Sequence, residues 1–151
     1  MKPDLIQRDC IQCRDSVENW EEAIRVAAQP LLNKGYIQEQ YIDAMIQTVN
    51  ELGAYIVIAP RIAMPHAANQ TGTTCNSFAV LKLKKGVYFD EQEDSLADLI
   101  LPLACVDNES HMLMLQAIAT VLGDSETMEK LLSTEDGDEI YQIFKNVVFE
   151  Q

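Results

Sequence analysis

The sequence predicts an α/β domain, a mixed β-sheet layered with helices, and three observations predict it. Two segments with apolar residues three and four apart come first, Trp20–Leu31 and Tyr41–Val49. Short continuous apolar runs follow at 55–59, 75–83 and 97–106, with the look of buried strands. Helical spacing then returns from about residue 109 onward. Helices, then strands, then helices is the order of a layered domain, not the strict βαβα of a doubly wound one. At 151 residues and 48% hydrophobic, the chain is the size of one domain (1–151) with a sizeable core.

Residues 1–15 are polar and unpatterned. Ser16 is placed to cap a first helix whose apolar face is Trp20, Ala23, Ile24, Ala27 and Leu31. Pro30 falls near its last turns, and Lys34-Gly35 is a stop signal. A second helix over about 38–51 turns Tyr41, Ile42, Met45, Ile46 and Val49 to one side, and Gly53 closes it. Tyr55–Ala59 reads as a buried strand. Pro60 and Pro65 bracket the short run Ile62-Ala63-Met64; Pro65 lacks an N–H and restricts Met64 to extended geometry, so a strand stops there. His66 is thereby set just past the end of a sheet, where side chains that do chemistry often sit. A polar loop, Ala67–Thr74, contains Gly72.

The run 75–83 predicts a central strand, Lys84-Lys85-Gly86 a turn, and Val87–Phe89 a short strand. Asp90–Asp94, with four acids, is a solvated loop without the spacing of a calcium site. Ala97–Val106 is another strand, and Pro102 inside it implies an edge position or a bulge. Asp107-Asn108-Glu109-Ser110 offers capping residues for a helix over 109–122, closed by Gly123. A short helix over 125–132 and a last one starting at Thr134 or Asp138, with Ile140, Ile143, Phe144 and Val147, complete the chain.

Charge and motifs exclude several classes. With 24 acidic and 11 basic residues, net −13, nucleic acid and anionic membranes are not expected partners. Met1-Lys2-Pro3-Asp4 leads into no apolar segment, and no run approaches about 18 apolar residues, so neither a signal peptide nor a membrane span is expected. A cytoplasmic location is expected. Cys10, Cys13, Cys75 and Cys105 are too dispersed for a zinc site, and Cys10-Ile-Gln-Cys13 follows no strand pattern, so they read as reduced thiols. The two histidines lack metal-ligand spacing. No nucleophile elbow and no nucleotide-cradling glycine loop is present, and no cofactor is expected.

His66 and His111 are therefore the candidates. His111 lies in the first turn of the 109–122 helix, on the face of Met114, Leu115, Ile118 and Val121, and so points toward the sheet. A helix N-terminus disfavours the imidazolium and its unpaired amides attract anions, so His111 is expected to stay neutral and to donate to a phosphate nearby.

APRIAMPHA resembles the signature around the phosphorylated histidine of phosphotransferase-system (PTS) enzyme IIA proteins of the mannitol/fructose superfamily, EIIA type 2. GYIQEQYIDAMI is similar to that family's second helix, DNESHMLMLQAIATVLGD to its helix bearing a second active-site histidine, and TEDGDEIYQIF to its closing helix. The YIVIAP lead-in is most similar to the ascorbate-type branch. The resemblance implies a mixed sheet sandwiched between helices in three layers. It implies a phosphotransferase function: His66 accepts a phosphoryl group from the phosphocarrier HPr, His111 supports it, and a cysteine of enzyme IIB receives it. The membrane IIC component is then an indirect partner, and ascorbate or a related compound a candidate substrate. Two family arginines have no counterpart: Thr48-Val49 and Ala68-Asn69 stand in their places. Arg61, the nearest cation in sequence, is the remaining candidate to bind the phosphate, although alternation along an extended chain turns it away from His66. The alternatives are a regulatory phosphoacceptor on the same fold, or a binding module that has lost the relay.

Overall fold

The computed structural model describes residues 7–53, 56–67 and 72–145. Five strands form one mixed sheet: β1 (Ile11–Arg14), β2 (Val57–Ala59), β3 (Arg61–Ala63), β5 (Val80–Tyr88) and β6 (Leu96–Ile100), in spatial order β1-β5-β6-β3-β2. β1 runs parallel to β5, and β3 parallel to β6; the β5–β6 and β2–β3 pairs are antiparallel. β4 (Ser77–Phe78) and β7 (Leu103–Ala104) make a separate two-stranded antiparallel sheet.

Neighbouring residues along a strand face opposite sides, and each face has its own apolar core. Ala63, Leu81 and Ile100 pack under α1 (Trp20–Asn33) and α2 (Glu39–Leu52). Their neighbours Ile62, Val80 and Leu99 pack under α3 (Asn108–Leu122), α4 (Ser125–Ser133) and α5 (Gly137–Phe144). The mixed sheet therefore lies between two helical layers, as the resemblance implies.

Several local expectations change. Helix α1 is capped by Asn19, whose side chain accepts from the Glu22 amide at 2.9 Å, and not by Ser16. Its end is as read: Gly35 at φ 76° lets the Tyr36 amide reach back to the Leu31 carbonyl. α5 is capped by Asp136, between the two residues expected to start it. Residues 8–14 hold a short 3-10 turn and edge strand β1, which hydropathy hides because only Ile11 of β1 is buried. β2 is the opposite edge, with Ile58 half exposed, and not a buried strand; Tyr55 at its expected start lies outside the described residues.

Lys84-Lys85-Gly86 does not turn the chain. β5 continues through it and shifts register against β6, and a side chain at position 86 would meet the Ala97 carbonyl at 2.8 Å. Pro102 neither marks an edge nor a bulge. It separates β6 from β7 and sends the chain from the large sheet to the small one.

Candidate functional site

The site lies where β3 and β7 end beside the start of α3. Pro60 and Arg61 turn β2 back into β3, and Arg61 has φ 72°, a left-handed conformation unusual for a residue with a side chain. β3 ends at Ala63, and Met64, Pro65 and His66 leave the sheet together. The exit is held at each step. The Met64 amide donates to the Ile56 carbonyl at 2.8 Å, the Leu101 amide to Ala63 at 2.8 Å, and the Leu103 amide to Pro65 at 2.9 Å.

The His66 ring is half buried, and its Nδ1 lies 2.7 Å from the Met64 carbonyl. A carbonyl only accepts, so Nδ1 carries a proton, and in the neutral ring Nε2 holds the lone pair. This contact selects the tautomer whose outer nitrogen is nucleophilic.

His111 comes from α3. The chain enters that helix from β7 through Cys105, whose carbonyl accepts from the Thr73 hydroxyl at 2.8 Å, and Val106, whose amide donates to the Asn76 side chain at 2.9 Å. Asp107 caps the helix by accepting from the Ser110 amide at 2.7 Å, which holds its carboxyl below the usual range. The first turn is thus a less open anion cradle than the sequence implies. The His111 ring centre is 5.1 Å from that of His66, with the planes tilted by 50°. Burial, and then the electrostatic effect of the neighbouring His66, lower the pKa of His111. Val106 and Met112 are exposed apolar side chains flanking this helix start, 44% and 56% accessible.

The structure brings His66 and His111 together; it does not bring Arg61 to them. The Arg61 guanidinium contacts Asp98 on β6 through Nη2 and Nε, and also donates to the Leu132 carbonyl at 3.2 Å. It lies at the opposite end of β3 from the Pro65-His66 exit. Thr48, where the resemblance leads one to expect an arginine, bonds its own helix at the Ala44 carbonyl, and Ala68-Asn69 fall outside the described residues. Among the described residues, six basic side chains pair with carboxylates: Arg8, Arg25, Lys34, Arg61, Lys82 and Lys84.

Sequence reasoning missed Tyr41, Thr73 and Asn76. The Tyr41 hydroxyl donates to the Leu103 carbonyl at 2.6 Å and accepts from the Ala67 amide at 3.4 Å. Helical spacing placed this ring in the core, which it occupies, but the spacing carries no trace of the hydroxyl's partners. Asn76 stands at the polar start of the 75–83 run, beside Ser77, and its residue type alone does not single it out. Of the cysteines, Cys10 and Cys105 are buried, and burial pushes their thiols up to about 11 and about 12, far from reactive thiolates.

Residues 4–147 match the family model described as "Phosphoenolpyruvate-dependent sugar phosphotransferase system, EIIA 2". A mannitol-specific cryptic phosphotransferase enzyme IIA component of Escherichia coli K12 is 31% identical over 140 residues, covering 93% of this chain and 95% of the relative. An ascorbate-specific PTS EIIA component of the same strain is 25% identical over 144 residues, covering 95% and 94%. Among solved structures, enzyme IIA of mannitol from Escherichia coli, in complex with phosphorylated enzyme IIB, superposes with a TM-score of 0.81 at 25% identity, covering 92% of this chain and 96% of that one.

Proposed function

This chain belongs to the phosphoenolpyruvate-dependent sugar phosphotransferase system EIIA 2 family, and from that premise we propose that it carries a phosphoryl group on His66 between HPr and enzyme IIB. The single observation that carries the proposal is the pairing of the two histidine rings at 5.1 Å, with the His66 Nδ1 proton engaged by the Met64 carbonyl.

The Nε2 lone pair of His66 attacks phosphorus as the N–P bond to the donor histidine of phospho-HPr breaks, its electron pair returning to that imidazole. The Met64 carbonyl stabilises the positive charge that the attacking ring acquires. Phosphoryl transfer passes through a loose transition state, so the protein's main task is to position groups and stabilise spreading negative charge. His111, kept neutral by burial and by its neighbour, donates an N–H to a phosphoryl oxygen. A cysteine of IIB then takes the group, and His66 recovers its lone pair. Arg61 we assign to Asp98 and the β3–β6 seam, because a phosphate role requires it to leave a buried carboxylate. The exposed Val106 and Met112 supply apolar contact for the protein partners, and the acidic surface steers a basic one.

The family assigns a sugar phosphotransferase system. Identity is higher to the mannitol-specific relative than to the ascorbate-specific one, so the YIVIAP lead-in does not by itself select a sugar. The test is incubation with phosphoenolpyruvate, enzyme I and HPr, followed by a panel of IIB proteins. Transfer to a mannitol or an ascorbate IIB supports a transport role; labelling with transfer to none removes IIB from the scheme.

A further inference from the structure

Tyr41 stands on α2, on the other side of the sheet from α3, and is only 3% accessible. Its hydroxyl has one proton and two lone pairs. The proton goes to the Leu103 carbonyl at 2.6 Å, and a lone pair accepts the Ala67 amide at 3.4 Å, the longer of the two contacts. The Leu103 amide in turn holds the Pro65 carbonyl at 2.9 Å. The main chain is therefore tied on both sides of His66: Pro65 directly to Leu103, and Ala67 to Leu103 through the phenol. Leu103 also begins β7, which runs through Cys105 and Val106 into the α3 cap. One hydroxyl thus links the loop that carries His66 to the strand that leads to His111.

We propose that Tyr41 is a positioning residue for phosphoryl transfer: its hydroxyl fixes the His66 backbone against β7 and so sets the spacing and tilt of the two imidazoles. It touches neither the phosphoryl group nor the partner protein. This inference rests on the phosphoryl-carrier proposal above for its kinetic consequence, while its geometric content stands separately.

Tyr41→Phe removes the oxygen and keeps the ring. The Leu103 carbonyl and Ala67 amide lose a partner at the loop, and His66 gains freedom to leave the Met64 carbonyl. Val49→Ala, about two turns along the same buried face of α2, is the control that loosens the core without touching the loop. Each protein is assayed for phosphate uptake from phospho-HPr over a range of HPr concentrations, and for the His66 ring by long-range 1H–15N spectra. In Tyr41→Phe we expect kcat to fall about 10–100-fold at unchanged KM, the size expected from a small misplacement of a reacting group. The spectrum should also lose the single Nδ1–H form, while Val49→Ala keeps both the rate and the spectrum of the parent. An unchanged rate and spectrum in Tyr41→Phe overturns the inference. So does a rate loss that Val49→Ala reproduces at the same melting temperature with the spectrum intact. If the parent itself takes no phosphate, the carrier proposal fails and the spectrum alone decides Tyr41.

Discussion

Asp98→Asn tests the buried charge cluster that Asp98 forms with Lys82 and Arg61. Asp98 and Lys82 are 6% and 5% accessible, and the Lys82 ammonium lies 3.4 Å from the Asp98 carboxylate and 3.2 Å from the Leu83 carbonyl. Arg61 reaches the same carboxylate from outside, with 46% of its side chain accessible. Asparagine keeps the shape and removes the charge. Arg61 can then turn to water; Lys82 cannot. Removing one partner of a buried pair costs about 3–5 kcal/mol. The Leu83 carbonyl stays with Lys82, which places the expected loss at the lower end, about 3 kcal/mol. For a chain of this size that is a fall of roughly 6–12 °C in melting temperature. The assay is thermal and urea unfolding of the parent, Asp98→Asn, and the double variant Lys82→Met/Asp98→Asn. The double variant should recover most of the loss, because it no longer buries an uncompensated ammonium. An Asp98→Asn protein as stable as the parent, or a double variant no better than the single, refutes this reasoning.

His111→Ala should still be labelled on His66, with transfer slowed about 10–10³-fold as for loss of one oxyanion-type donor; a stable phosphate mapped to residue 111 reverses the two roles. The pKa of His111 is lowered from 6.5 by folding, so the unfolded chain binds its proton first as pH falls. His111 should therefore cost stability progressively from about pH 6.5 down to its folded pKa and by a constant amount below it. Urea midpoints at several pH values should show an acid-side loss in the parent that His111→Gln lacks, and identical pH profiles contradict this. Raising salt from low to physiological should slow HPr association and change dissociation little, because steering by 24 acids is screened over about 8 Å whereas apolar contacts are not. A stopped-flow series with a phosphorylation-defective HPr reads both rates, and an association rate flat across it removes the steering.

The two histidines were legible because local rules place them. Pro65 stops a strand wherever the fold puts it, and Asp107 starts a helix, so local rules alone put His66 at a strand exit and His111 in a first turn. Their separation of 5.1 Å is not legible from spacing, since it depends on how the 44 intervening residues cross the sheet. The layer order was readable for the same local reason: Trp20–Leu31 and Tyr41–Val49 show period 3.6, and 75–83 does not. What failed was whatever depends on a distant partner. β1 has no apolar alternation because it is an edge strand whose outer residues meet solvent. Gly86 reads as a turn residue but serves a close approach to the Ala97 carbonyl. Arg61 is near His66 in sequence and is spent on Asp98, 37 positions away. The Tyr41 hydroxyl finds its carbonyl 62 positions away, which no periodicity can encode.

The most direct measurement is acid-labile labelling from phosphoenolpyruvate, enzyme I and HPr, with the parent, His66→Ala and His111→Ala side by side. The parent should take one phosphoryl group that peptide mapping places on His66, His111→Ala should take it slowly at the same residue, and His66→Ala should take none. Normal labelling of His66→Ala would contradict the relay through this histidine.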